Sequence, residues 1–558
     1  MLLQLFLLPL LQGSTPAASL FEELGQAGLG GATLTSGNPE KDWILEVNGG
    51  GLLLGDFDSD GLTDLVLVDG STPERVRAGS PGLPPRLLLG QGDATFAPAG
   101  EGWAMEGGRW GTSGAVGDLD GDGREDLVVT EWGPDRVLRN TGAGFEQVPE
   151  AGLVGGRWGT SAALFDHDLD GVLDLAVVNY LDFDFDTVDA REGGGCVWKG
   201  HAVNCGPEGL EPQHDQLYRG LGDGTFELTE AGFTPRRAAF GLGIVTGDFD
   251  VDGDMDLYVT NDSTPNHLWD NRATETGHEL VEIGMRRGVA LDDSGREQAG
   301  MGVGAGDLDG DGRADFVVTN FSGESHNLYL SGKRRSYRDR SHQAGVGGAS
   351  TALLGWGTGF GDLDLDGDLD LFAVHGHVYP QADQPGTDTS YAQPDLLWRN
   401  VGSPTEPRFE VEDLSDAGPT VSRAAASADL DRDGDLDLVV IELDGAVRVL
   451  RNRADELHAG AHWLGVRLVD KKEAGSRSTI GARLELVLGA EVEGGPARHV
   501  RSQISTAGGY QAAVPAEAHF GLGTVNSVEL LRVTWPDGQV QELEAPQLDR
   551  WLTVERSR

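Results

Sequence analysis

Short apolar runs rich in β-branched residues recur along the chain, and each follows an acidic, glycine-bearing segment. Leu65-Val66-Leu67-Val68, Leu127-Val128-Val129-Thr130, Leu175-Ala176-Val177-Val178, Leu257-Tyr258-Val259-Thr260, Phe316-Val317-Val318-Thr319 and Leu438-Val439-Val440-Ile441 are of this kind. Runs of this length and composition, bounded by turn residues, predict β-strands. The alternation in Arg483-Leu484-Glu485-Leu486 predicts a further strand with one exposed face, and Pro536-Asp537-Gly538 predicts a turn between two more. The expected fold class is therefore all-β.

The acidic segments carry the chemistry. The first is Asp56-Phe57-Asp58-Ser59-Asp60-Gly61-Leu62-Thr63-Asp64, and six more open at Asp118, Asp166, Asp248, Asp307, Asp362 and Asp429. Every copy has Asp at positions 1, 3, 5 and 9 and Gly at position 6. Calcium takes six to eight hard oxygen ligands in a flexible shell, and a loop with carboxylates on alternate positions supplies them. The expected carboxylate ligands are Asp56, Asp58, Asp60 and Asp64; Asp118, Asp120, Asp122 and Asp126; Asp166, Asp168, Asp170 and Asp174; Asp248, Asp250, Asp252 and Asp256; Asp307, Asp309, Asp311 and Asp315; Asp362, Asp364, Asp366 and Asp370; and Asp429, Asp431, Asp433 and Asp437. The position-7 carbonyls of Leu62, Arg124, Val172, Asp254, Arg313, Asp368 and Asp435 would add a neutral oxygen. Gly at position 6 permits the bend. Position 12, where an EF-hand needs a bidentate Glu, is Leu67, Val129, Val177, Val259, Val318, Ala373 and Val440, which excludes that motif.

Charge then reads as ligand inventory. The 558 residues carry a formal net charge of −49, and four aspartates in each of seven loops supply 28 of the negative charges. A chain this acidic offers no basic stripe for phosphate contacts, so nucleic acid is excluded as a partner. Gly is frequent, at 85 residues, and spread through turns. No stretch is long and apolar enough to span a bilayer. Leu2 to Leu11 form a short apolar run followed by small and polar residues to Ser19, which predicts a signal peptide over residues 1–18 and a secreted, periplasmic or cell-surface protein, although no Lys or Arg precedes the run.

From residue 19 to 455 the loops open at intervals of 62, 48, 82, 59, 55 and 67 residues, a period that suits four-stranded propeller blades. Gly108-Arg109-Trp110-Gly111-Thr112-Ser113 and Gly156-Arg157-Trp158-Gly159-Thr160-Ser161 repeat in the same phase. These loops and strands resemble the FG-GAP or VCBS repeats of integrin alpha-chain propellers. The resemblance implies a seven-bladed β-propeller whose innermost strands precede the loops; another blade count or an open solenoid is the alternative. The calcium loops stop near Asn452, and residues 460–558 form a second module. Ile480-Gly481-Ala482, Gly508-Gly509-Tyr510, His519-Phe520-Gly521-Leu522-Gly523 and Trp535-Pro536-Asp537-Gly538 there resemble the ASPIC/UnbV domain. The whole is similar to a compact member of the cartilage acidic protein family, with a small β-sandwich-like C-terminal domain.

Three other features stand out. Cys196 and Cys205, the two cysteines of the chain, close a short insertion in the longest interval and predict a disulfide in an exported protein. His375 and His377 alternate at a strand end, a geometry open to a transition metal, with an ordinary polar role the favoured reading. His167 replaces Phe or Leu at position 2 of the third loop and is read as structural. Arg109 and Arg157 beside tryptophans suit cation-π packing better than a sugar or anion site. The expected function is a Ca²⁺-stabilised extracellular module that binds a protein or polysaccharide. The alternatives are a propeller-based lyase or hydrolase, or an accessory protein in natural-product biosynthesis. No Gly-x-Ser-x-Gly, His-Glu-x-x-His or phosphate-loop pattern supports an enzyme.

Overall fold

The structure is a computed structural model that describes residues 19–557 apart from 26, 30, 230–232, 234, 236, 276, 334, 404–405, 473–474 and 490–497. The expected signal peptide lies outside the described residues.

The six apolar runs, and Asp370–His375 in the remaining copy, form the second strands of seven antiparallel four-strand units; the second and third units are joined through Trp132 and Trp158, and Ala512–Ala513 adds a parallel strand to the first. In each, an inner strand enters an acidic loop, the loop returns as the apolar strand, and two outer strands follow. The inner strands are Gly51–Gly55, Gly111–Gly117, Arg157–Phe165, Gly241–Gly247, Gly300–Gly306, Gly355–Gly361 and Ser422–Ala428. Each touches the next, and the last touches the first, so the sheets close into a ring as propeller blades do. The first six blades run in chain order. The seventh takes its outermost strand from the start of the described chain, where Phe21–Glu23 pairs antiparallel with Val447–Asn452. That pairing ties the two ends of the ring together. Between blades the core is aliphatic and aromatic, as where Phe57, Leu127, Leu138 and Phe145 pack together.

The loops leave the C-terminal ends of the inner strands, so all seven share one face of the ring. The C-terminal module sits on that face. His462–Lys471 pairs antiparallel with Glu517–Gly523 and parallel with Trp551–Glu555. A second sheet orders Arg498–Gln503, Arg483–Leu488, Val528–Thr534 and Val540–Glu544. Leu464, Val466, Leu484, Leu486, Phe520, Leu531 and Trp535 fill the space between them.

One segment of this module leaves it and enters the ring. Ala512 and Ala513 pair in parallel with Leu52 and Leu53 of the first inner strand, and Gly509 bridges Ile244 of the fourth. Tyr510 is fully buried, donates its hydroxyl to the Asn48 carbonyl at 2.8 Å and packs on Trp356 at 5.0 Å. Gly509 has φ of +80°, and a Cβ there would stand 2.1 Å from the Val303 carbonyl oxygen. Only glycine allows the backbone to approach the fifth blade so closely. The Gly508-Gly509-Tyr510 motif thus plugs the centre of the propeller.

Candidate metal loops and the two faces of the ring

In every loop the position-9 aspartate is a backbone clamp. One oxygen of Asp64 accepts the Phe57 amide at 2.9 Å and the other accepts the Gly90 amide from the third strand at 2.8 Å. Asp126, Asp174, Asp256, Asp315, Asp370 and Asp437 repeat both bonds with their own position-2 and third-strand amides. The position-1 aspartate holds the bend, since Asp118 accepts the Gly123 amide and Asp362 the Gly367 amide, at 2.9 and 2.8 Å. The position-5 aspartate accepts the position-7 amide, as from Leu62 to Asp60 and Arg124 to Asp122. Three carboxylates are thereby converged: donor oxygens of Asp56, Asp58 and Asp64, or of Asp118, Asp120 and Asp122, lie within 4.8 Å of one another, whereas Asp60 and Asp126 stand outside these groups.

Such crowding shifts the carboxyls. Burial, then the neighbouring aspartates, pushes Asp166 and Asp307 up to about 6. Asp64, Asp126 and Asp174 rise to about 7 and Asp315 to about 8, chiefly through burial. Burial also holds Asp362 and Asp370 well above the ordinary carboxylate range. Asp307, Asp429, Asp431 and Asp435 each keep a buried carboxylate oxygen with no hydrogen-bond partner. An all-oxygen set of carboxylates with unspent lone pairs fits Ca²⁺ and disfavours softer metals.

Sequence reasoning missed what lies over the loops. The C-terminal module donates a hydrogen bond or ion pair to six of them. Arg467 reaches Asp56 at 3.4 Å, Ser476 meets Asp118, and Arg483 meets Asp248. Arg501 donates to the Gly310 carbonyl at 3.1 Å, Arg498 to that of Gly367 at 2.6 Å, and Trp551 to Asp429 at 2.7 Å. Arg483, Arg498, Arg501 and Trp551 line a cleft of about 1420 Å³ between the module and blades four to seven. The polar face of the Arg483–Leu488 strand, expected to be exposed, is the face turned to this cleft; Glu485 there is held by Arg501 and Arg532. Alternation shows that a strand has a polar face but not whether water or another domain covers it. Glu125, at position 8 of the second loop, was also missed: it accepts the Asp56 amide at 2.7 Å, and burial pushes it up to about 7.

The opposite face gathers the features that differ between blades. The insertion after the second strand of blade three is joined by a Cys196–Cys205 disulfide, with Cα atoms 5.3 Å apart. Its hairpin pairs Val197–Trp198 with His201–Ala202. Trp198 packs on His377 at 4.6 Å and on Tyr379 at 5.6 Å, so the cysteine insertion and the histidine stretch meet across the ring. His375 and His377 do not converge on one ligand. His375 stacks on His326 with their Nε2 atoms 3.0 Å apart, whereas His377 lies under Trp198. Burial pushes both His375 and His377 down to about 3. Trp110 and Trp158 are fully buried, and the Arg109 guanidinium lies 4.0 Å over Trp132, the packing role expected of it. Phe183 and Phe185 of the insertion pack against Trp43, Trp110, Trp132 and Trp158, closing this end of the ring.

Fold and loops together define an FG-GAP-type propeller carrying a C-terminal β domain. Residues 56–129, 118–177, 209–259 and 248–318 match the FG-GAP-like repeat, and residues 472–558 match ASPIC and UnbV. Among individual proteins the chain is similar to cartilage acidic protein 1. It is 29% identical to the Xenopus tropicalis protein over 310 residues, 54% of this chain and 42% of that one. It is 27% identical to the Homo sapiens protein over 348 residues, 60% of this chain and 47% of that one. The matched stretch is under half the length of either relative. A crystal structure of BBS1N in complex with ARL6DN aligns over 78% of this chain and 98% of its own, at 11% identity and a TM-score of 0.39. No helix among the described residues is long and apolar enough to cross a membrane.

Proposed function

We propose that the protein is an extracellular, calcium-stabilised binding module that presents the face bearing the disulfide hairpin to a protein or polysaccharide ligand. The observation that carries this is the division of labour between the two faces. The seven near-identical loops lie under the C-terminal module, and calcium there would hold blades and module together. On the other face, half-buried Trp198, Phe321 and Tyr379 stand around His377 with Lys199 beside them, a mixed aromatic and cationic platform of the sort that stacks on sugars or peptide side chains. The disulfide and the calcium loops both suit an oxidising, calcium-rich compartment outside the cytosol. The C-terminal module serves as a docked cap.

A glycan and peptide array probed with calcium-loaded protein tests the reading. Trp198→Ala should lower binding at least tenfold without moving the melting temperature by more than a degree or two. Binding that survives this change, or turnover of any arrayed compound, would overturn it.

A further inference from the structure

Position 2 of six loops is Phe or Leu, and it packs between one blade and the next. Phe57 meets Phe145 at 5.8 Å, and Phe249 meets Phe316 at 4.9 Å. The junction between blades three and four departs from this. There position 2 is His167, and its ring faces His278, on the outermost strand of blade four, at 6.1 Å between centroids. Asp254, at position 7 of the fourth loop, brings its carboxylate within 3.8 Å of His278 Nδ1.

His167 and Asp254 are each 7% exposed. Nε2 of His167, Nδ1 of His278 and Oδ1 of Asp254 are all sealed from solvent and lack a hydrogen-bond partner. Buried polar atoms without partners are costly, and three of them gather where the sister junctions bury hydrocarbon. Neutral imidazoles with one carboxylate are a poor set for calcium and a good one for zinc. Donors about 2.0–2.1 Å from a tetrahedral ion stand about 3.4 Å apart, close to the 3.8 Å between His278 Nδ1 and the Asp254 carboxylate.

We propose that His167, His278 and Asp254 form a binding site for a zinc-class divalent cation, separate from the calcium loops and pinning blade three to blade four, with water in the fourth position. Asp254 can serve both sites, because its backbone carbonyl belongs to the calcium loop while its side chain turns to His278. The third loop is also the one to which, among the described residues, the C-terminal module donates no hydrogen bond. A metal pin would supply there the cross-link that the module supplies elsewhere.

The test uses the full chain, stripped with chelator, returned to excess calcium, and titrated with Co²⁺ and then Zn²⁺. Uptake of one equivalent of Co²⁺ with the visible d–d bands of a four-coordinate site, displaced by Zn²⁺, is expected. His167→Leu, which installs the residue of the sister loops, and His278→Gln should each weaken that binding at least tenfold. Zn²⁺ should raise the melting temperature of the wild type and not of these variants. If His167→Leu does not fold, Asp254→Asn, which keeps the loop carbonyl, gives the same readout. No cobalt bands in the wild type, or unchanged affinity in the variants, would overturn the proposal.

Discussion

Five non-glycine residues, Ser59, Leu169, Val251, Leu365 and Arg432, hold position 4 of their loops in the left-handed region at φ between 58° and 63°. Val251 is β-branched, for which this conformation is strained. The position-6 glycine announced one left-handed residue per loop; the second was hinted at only by Gly121 and Gly310, which stand at position 4 of their copies. Buried histidines form a separate residue-scale theme. Burial holds His375 at about 3, below the ordinary value near 6.5. The unfolded chain therefore binds its proton first as pH falls. The stability gained from a neutral His375 is complete above about pH 6.5 and is lost as pH falls toward 3. Thermal melts of calcium-loaded protein should show His375→Gln losing less stability than wild type between pH 7 and pH 4. Parallel losses in the two proteins would contradict this assignment.

The loop is the element that recurs, and its hydrogen bonds show why the ligand count alone understates it. Sequence makes position 9 one of four expected calcium ligands, yet in all seven copies both its oxygens also accept backbone amides. Asp126→Asn keeps the size but offers one acceptor where two are needed, and it turns a donor toward an amide. It should cost about 1–3 kcal/mol even in chelator, measured by urea unfolding. A loss seen only with calcium present would mean that position 9 is a ligand and nothing more. Strands and loops were legible because both follow local rules of spacing and composition. The strand Phe21–Glu23 was not, because it completes a sheet whose other strands lie more than 400 residues away. The disulfide was legible from compartment and spacing, whereas its meeting with His377 depended on how blades three and six face each other.

At the scale of the molecule, two units read as separate from sequence prove to be interlocked. The Gly508-Gly509-Tyr510 segment threads the ring, and arginines of the C-terminal module stand over aspartates at the loops. Sequence showed the charges on each side but not that they face each other, because complementarity between distant segments leaves no local periodicity. The loops consequently sit where the face of the ring meets the module, and calcium there would act on the whole assembly. A site filled tenfold above its dissociation constant stabilises by about 1.4 kcal/mol, and seven independent sites by on the order of 10 kcal/mol. The direct measurement is a thermal melt of the full chain with excess calcium, with EDTA, and with calcium restored after EDTA. The account predicts a fall in melting temperature on the order of 10 °C or more in EDTA and full recovery with calcium. A melt unchanged by EDTA would contradict it.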